Sequence, residues 1–217
     1  MRAAIFDFDG TIVRSEHNWI HTFDRFEADY GLDATPHDVR LTQMAQTVLN
    51  VAEFYFAKYQ TVRDHFASPK ALAEDFNGKT ESLVYKTEPI CGVVRYINLL
   101  HEHGTPVVIA SSGRREHIKK YFDTWDISVD DIVTVEDVAH CKPAADVYIE
   151  AMRRAGVTNP SDCVVFEDNP SPASNAARAG FRVVMIQSQG ENGVFSGDTP
   201  FAERVISTYE SLGADSF

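Results

Sequence analysis

Ala3-Ala4-Ile5-Phe6-Asp7-Phe8-Asp9-Gly10-Thr11 is a short apolar run that breaks into two acids and a glycine. Four apolar residues without alternation predict a strand covered on both faces, as in a parallel sheet. The pattern recurs at residues 106–110, 132–135, 163–166 and 182–186. Helical periodicity falls between these runs, at 92–103, 114–125, 143–155 and 174–179, the last stopping at Gly180. Strand and helix in alternation predict a doubly wound α/β domain with a parallel sheet.

Residues 14–87 break the rhythm. No strand is predicted there, but three helical patterns are. Trp19, Phe23, Phe26 and Tyr30 recur at helical spacing and end at Gly31. A long stripe then runs through Leu41, Val48, Ala52, Tyr55, Tyr59 and Val62, and a third segment covers 69–76. These aromatics read as packing between helices. The expected organisation is an α/β core of residues 1–13 and 88–217, interrupted by a helical cap of residues 14–87 placed over the strand ends. There is no internal repeat or low-complexity linker.

Composition narrows the partners. The 217 residues are 44% apolar and 24% charged, an ordinary globular mixture. Twenty Lys and Arg against 32 Asp and Glu give a net charge of −12, which opposes extended nucleic acid. A small phosphorylated substrate is compatible if a metal ion and a few cations reverse the field locally. No apolar run has the length of a membrane span, and no secretory leader pattern precedes Asp7. Cys91, Cys141 and Cys163 are scattered, without Cys-x-x-Cys spacing, so neither a disulfide framework nor a zinc ribbon is expected. The expected location is the cytoplasm. Oligomeric state leaves no mark in the sequence.

Four motifs carry the chemistry, each at a strand end or helix start. Asp7 and Asp9 are two apart on an extended chain, so both carboxylates face one pocket, and Gly10 lets the chain turn. Ligands of open α/β sheets bind beyond the carboxyl ends of the strands; alone, however, two acids and a glycine are an ordinary polar turn. Ser111-Ser112-Gly113 ends the second apolar run, where hydroxyls and backbone N–H groups cradle phosphate or cap a helix equally well. In Cys141-Lys142-Pro143 the proline suits a first helical position. Lys142 would then meet an unfavourable dipole, which points to an anion or carboxylate partner, although a lone lysine is commonly just exposed. Glu167 and Asp168 end the fourth strand. Beside Asp7 and Asp9 they would repel one another unless a hard cation such as Mg²⁺ neutralised them.

In this order the motifs make the chain resemble the haloacid dehalogenase superfamily, in its helical-cap branch similar to β-phosphoglucomutase-like phosphatases. The resemblance spans nearly the whole chain and rests on Asp7-Phe8-Asp9-Gly10-Thr11, Ser111, Lys142-Pro143 and Glu167-Asp168. It implies a Rossmann-like core and an Mg²⁺-dependent phosphatase acting on a small phosphate monoester, such as a sugar phosphate. It also implies roles. Asp7 is the nucleophile and Asp9 the general acid and base. Ser111, Ser112 and Lys142 bind the phosphoryl group, and Asp7, Asp9 (through its carbonyl), Glu167 and Asp168 hold the metal. Asp9 stands where the dehalogenases lack an acid, which favours phosphoryl transfer.

The chain departs from the family pattern at Arg14, Cys141, Asn169 and Pro172, the proline being expected to stiffen the acidic loop and remove a donor. The alternative function is a sugar phosphomutase of the β-phosphoglucomutase type, but its cap signature of Gly, Arg and Ser is not found. Arg14, Arg25 and Arg40 are the nearby cations that a second phosphate would need. A non-catalytic phospho-aspartate signalling or regulatory protein is a further alternative, and the order of the acid pairs disfavours it. His17 and His21, four apart on a helix, read as solvated or substrate-edge side chains. Arg114-Arg115 and Arg153-Arg154 read as solvated helix faces.

Overall fold

A computed structural model describes residues 1–44, 46–187 and 199–217, apart from a few side chains near residue 41. The chain divides into two compact units, Met1–Arg14 with Glu88–Phe217, and Ser15–Thr87.

The first unit is built on six parallel strands: β1 (Ala3–Phe6), β2 (Val107–Ala110), β3 (Asp131–Val133), β4 (Cys163–Glu167), β5 (Arg182–Ile186) and β6 (Arg204–Ile206). Their order is β3-β2-β1-β4-β5-β6, so the chain reverses its direction of sheet growth between β1 and β4. β1, β2 and β4 are buried at every residue, which is why their sequences show no alternation. Register then places the site: Phe6 lies opposite both Ile109 and Phe166, so residues 7, 111 and 167 emerge at the same edge.

Helices α6 (Val93–Glu102), α7 (Arg115–Trp125), α8 (Asp146–Arg154) and α9 (Pro170–Arg178) flank the sheet. On one face Ala3, Ile5, Val108 and Val165 share a core with Val147, Tyr148 and Ala151 of α8 and Ala173 and Ala176 of α9. On the other, Phe6 stacks on Phe166 at 4.3 Å, and Tyr96 and Tyr209 complete the cluster. Each such fully buried ring contributes roughly 1.5–3 kcal/mol through burial.

Two helix starts in this unit differ from expectation by three residues or more. The helix expected at 143–155 begins at Asp146, because the chain first makes a turn at 141–144, Ala144 N–H donating to Cys141 O. Lys142 therefore lies in a loop, free of the helix dipole. The helix expected at 174–179 starts at Pro170, with the Asn169 side chain accepting from Ser171 N–H at 3.0 Å. Pro172 thus sits in the first turn, where its missing donor costs nothing. Strand β6 has no signal in the sequence: three residues, two of them exposed, give too little pattern.

The second unit is helical: α1 (Glu16–Asp29), α2 (His37–Met44), α3 (Val48–Lys58), α4 (Gln60–His65) and α5 (Pro69–Val84). The long stripe through Leu41 and Val62 is three helices rather than one. Thr47 is extended and its hydroxyl accepts from Asn50 N–H, restarting the helix, and Tyr59 is extended again between α3 and α4. The aromatics pack as expected, Phe26 lying 4.8 Å from Phe76 and 5.2 Å from Tyr55. Arg40, only 3% exposed, pairs with Glu27 and Asp24 at 2.9 Å each and donates to Tyr55 Oη at 2.8 Å. No helix among the described residues is long and apolar enough to cross a membrane.

Candidate active site

Asp7 follows β1 directly, its backbone N–H donating to Phe166 O at 2.9 Å. The chain then turns: Gly10 adopts φ +78° and its N–H reaches Val13 O at 2.7 Å. Gly10 has a second reason to be glycine. A Cβ there would lie 2.0 Å from Asp168 Oδ2, so the absent side chain is what lets the β4 acid approach the β1 loop.

Lys142 is the centre of the site. Its ammonium donates to Asp7 Oδ1 at 2.5 Å and to Glu167 Oε2 at 2.8 Å, and all three side chains are buried. The partner suspected from the sequence is thus a pair of carboxylates. Burial alone would depress the Lys142 pKa, but Asp7 and Glu167 overcome it and hold it well above the usual lysine range, so the ammonium stays charged. Tyr148, on α8, carries no sequence signal that sets it apart from the other core aromatics. It donates its hydroxyl to Glu167 Oε2 at 3.0 Å, and its ring lies 5.0 Å from the Lys142 ammonium. Burial, reinforced by Glu167, pushes its phenol well above the ordinary range.

At the end of β2 the buried Ser111 hydroxyl accepts from Gly113 N–H at 2.9 Å. α7 is capped instead by Arg114, without a side-chain bond, so neither Ser111 nor the half-buried Ser112 is its cap. A Cβ on Gly113 would meet Ser111 Oγ at 3.3 Å and Asp9 Oδ2 at 3.9 Å, so Gly113 borders both the hydroxyl and the second acid of the first motif. His17 and His21 are exposed. Arg115 and Arg154 do not form solvated faces: both are half-buried and grip Asp137, Arg154 at 2.7 Å.

Asp7, Glu167 and Asp168 each offer a carboxylate oxygen, and the three oxygens lie within 4.8 Å of one another. Hard oxygen donors, with negative charge in excess of the one lysine, suit Mg²⁺. The charge has a measurable consequence. Burial and Glu167 push the Asp7 carboxyl up to about 8, against the opposing pull of Lys142. A carboxyl whose pKa rises on folding is bound more tightly to its proton in the folded state, so stability falls as pH rises from about 4 through about 8. The expected result for the metal-free protein is a melting temperature that declines across that window. Asp7→Asn should flatten the decline, and identical pH profiles for the two proteins would contradict this electrostatic description.

A reversing parallel sheet with carboxylates, a hydroxyl and a lysine gathered beyond its strand ends defines a doubly wound α/β protein with an acid-rich site at its switch point. The chain belongs to the haloacid dehalogenase-like hydrolase family, whose profile matches residues 4–186. It is 30% identical over 185 residues to hexitol phosphatase B of Escherichia coli K12, covering 81% of this chain and 80% of that one. It is 28% identical over 188 residues to a validoxylamine A 7′-phosphate phosphatase of Streptomyces hygroscopicus subsp. limoneus, covering 82% of each. In fold it is similar to CbbY of Rhodobacter sphaeroides, solved with xylulose-(1,5)bisphosphate, at a TM-score of 0.78 and 18% identity over 98% of this chain and 96% of that one. A β-phosphoglucomutase from Clostridium difficile superposes at 0.76 and 18% identity over 98% and 93%.

Proposed function

We propose that this protein is an Mg²⁺-dependent phosphatase that hydrolyses a small phosphate monoester, such as a sugar phosphate, by way of a phosphorylated Asp7. The observation that carries the reading is the Lys142 ammonium held 2.5 Å from Asp7 Oδ1 at the sheet edge shared with Ser111, Glu167 and Asp168. The phosphatases among its relatives support the substrate class.

Asp7, Glu167 and Asp168, with the Asp9 carbonyl, would hold the metal, which when bound supplies positive charge that offsets the acids and the phosphoryl group. Asp7 attacks phosphorus: the bond from phosphorus to the ester oxygen breaks, a bond to the Asp7 carboxylate forms, and Asp9 gives its proton to the leaving oxygen. In the second half Asp9 takes a proton from water, the water oxygen bonds to phosphorus, and the bond to Asp7 breaks to release inorganic phosphate. Lys142 neutralises the Asp7 carboxylate as it approaches a dianion, and Ser111 and Ser112 with their backbone N–H groups receive the phosphoryl oxygens. The helical unit acts as the cap that selects the substrate. With its thiols free, the protein belongs on this reading in the cytoplasm.

Each of the three arginines that a second phosphate could call on already has a partner, which favours water as the acceptor. Arg14 donates to Ser207 O at 2.8 Å, Arg25 pairs with Asp29 on the surface, and Arg40 is buried against Glu27 and Asp24. The deciding experiment supplies Mg²⁺, β-glucose 1-phosphate and a trace of glucose 1,6-bisphosphate, beside a screen of phosphate esters. Inorganic phosphate should be released and the best ester should emerge from the screen. Stoichiometric conversion to glucose 6-phosphate without phosphate release would overturn the hydrolase assignment.

A further inference from the structure

We infer that Tyr148 is a positioning residue for the reaction, its hydroxyl fixing Glu167 so that Lys142 is presented to Asp7 at one distance. The inference rests on the phosphatase reading and deepens it. Glu167 is held at both carboxylate oxygens: Oε2 accepts from both Lys142 and Tyr148, and Oε1 accepts from the Asn169 N–H at 3.3 Å. Lys142 in turn is tied at both ends of one bridge, to Asp7 and to Glu167. The position of its ammonium therefore depends on the orientation of Glu167, and the Tyr148 hydroxyl is the second side-chain donor to the same Glu167 oxygen.

Three further facts favour a positioning role over simple packing. Tyr148 is fully buried, and its neighbours Val147, Ala151 and Met152 on α8 are apolar, so a phenylalanine would satisfy the same core. The ring also faces the Lys142 ammonium from 5.0 Å, a distance at which the negative face of an aromatic attracts a cation. In the interior, moreover, a polar network of this kind is worth more than its separate bonds, and a missing member leaves a charged acceptor short of a donor.

The test is a double-mutant cycle with Tyr148→Phe and Lys142→Ala in the Mg²⁺-loaded enzyme, read as kcat/KM on p-nitrophenyl phosphate. Calorimetric titration of the wild type and Tyr148→Phe with inorganic phosphate gives a second readout. Tyr148→Phe alone should lower kcat about tenfold, in the range of outer-shell substitutions. It should weaken phosphate binding about fivefold, the size of one hydrogen bond. In the Lys142→Ala background the same change should have almost no further effect, because a residue that acts through Lys142 has nothing left to position. Phe181→Leu, which loosens the ring packing on Tyr148 without touching its hydroxyl, serves as the control. The inference is overturned if Tyr148→Phe matches the wild type, if its effect is undiminished without Lys142, or if Phe181→Leu loses as much activity. A wild type that releases no phosphate from any ester would instead refute the phosphatase reading.

Discussion

Asp7→Asn should reduce turnover by more than about a thousandfold while leaving the fold intact. The amide keeps the shape of the carboxylate and can still accept from Lys142, which lies 2.5 Å away. It lacks the negative charge that makes the carboxylate nucleophilic enough to form an acyl phosphate. Stability should not suffer, since Asp7 is a buried acid beside Glu167 and its charge is a burden on the fold above about pH 8. A loss of activity together with an unchanged or raised melting temperature at alkaline pH is the expected pattern. Residual activity above about a thousandth would mean that water attacks the ester directly and that Asp7 only holds the site together.

The second large effect is the loss of activity on removal of divalent cation. Lys142 is a single positive charge among Asp7, Glu167 and Asp168, and a phosphate dianion brought to that edge would add to the repulsion. Excess EDTA should abolish phosphate release, and added Mg²⁺ should restore it. Full turnover in chelator, with residual metal shown to be negligible, would contradict the assignment of the three acids as a metal site.

The legible parts of this chain are those governed by short-range rules. Residues 3–6 and 163–166 could be read as buried parallel strands because every position in β1 and β4 lies inside. The acids at their ends then had to share an edge, since Phe6 and Phe166 are paired in register. Features that depend on through-space partners could not be read. Tyr148 is one more aromatic on an apolar helical face until the fold sets its hydroxyl against Glu167. Gly10 explains itself as a turn residue, but its approach to Asp168 joins segments far apart in the chain.

The misreadings have the same origin. Leu41 to Val62 keeps helical spacing across two breaks, and only Thr47 and Tyr59, neither a glycine nor a proline, mark them. Pro143 suits a helix start and stands in a turn instead, which moved Lys142 away from the dipole and toward its carboxylates. Arg115 and Arg154 look like surface charges in sequence and become a clamp on Asp137 only when the segment after β3 folds back between α7 and α8.

The central claim is that phosphorus passes through Asp7, and stereochemistry tests it most directly. A phosphorothioate ester made chiral at phosphorus with oxygen isotopes, hydrolysed in isotopically labelled water, reports the number of displacements. Two in-line displacements, first by Asp7 and then by water, give net retention of configuration at phosphorus, and this is the expected result. Net inversion would show a single displacement by water and would contradict the account.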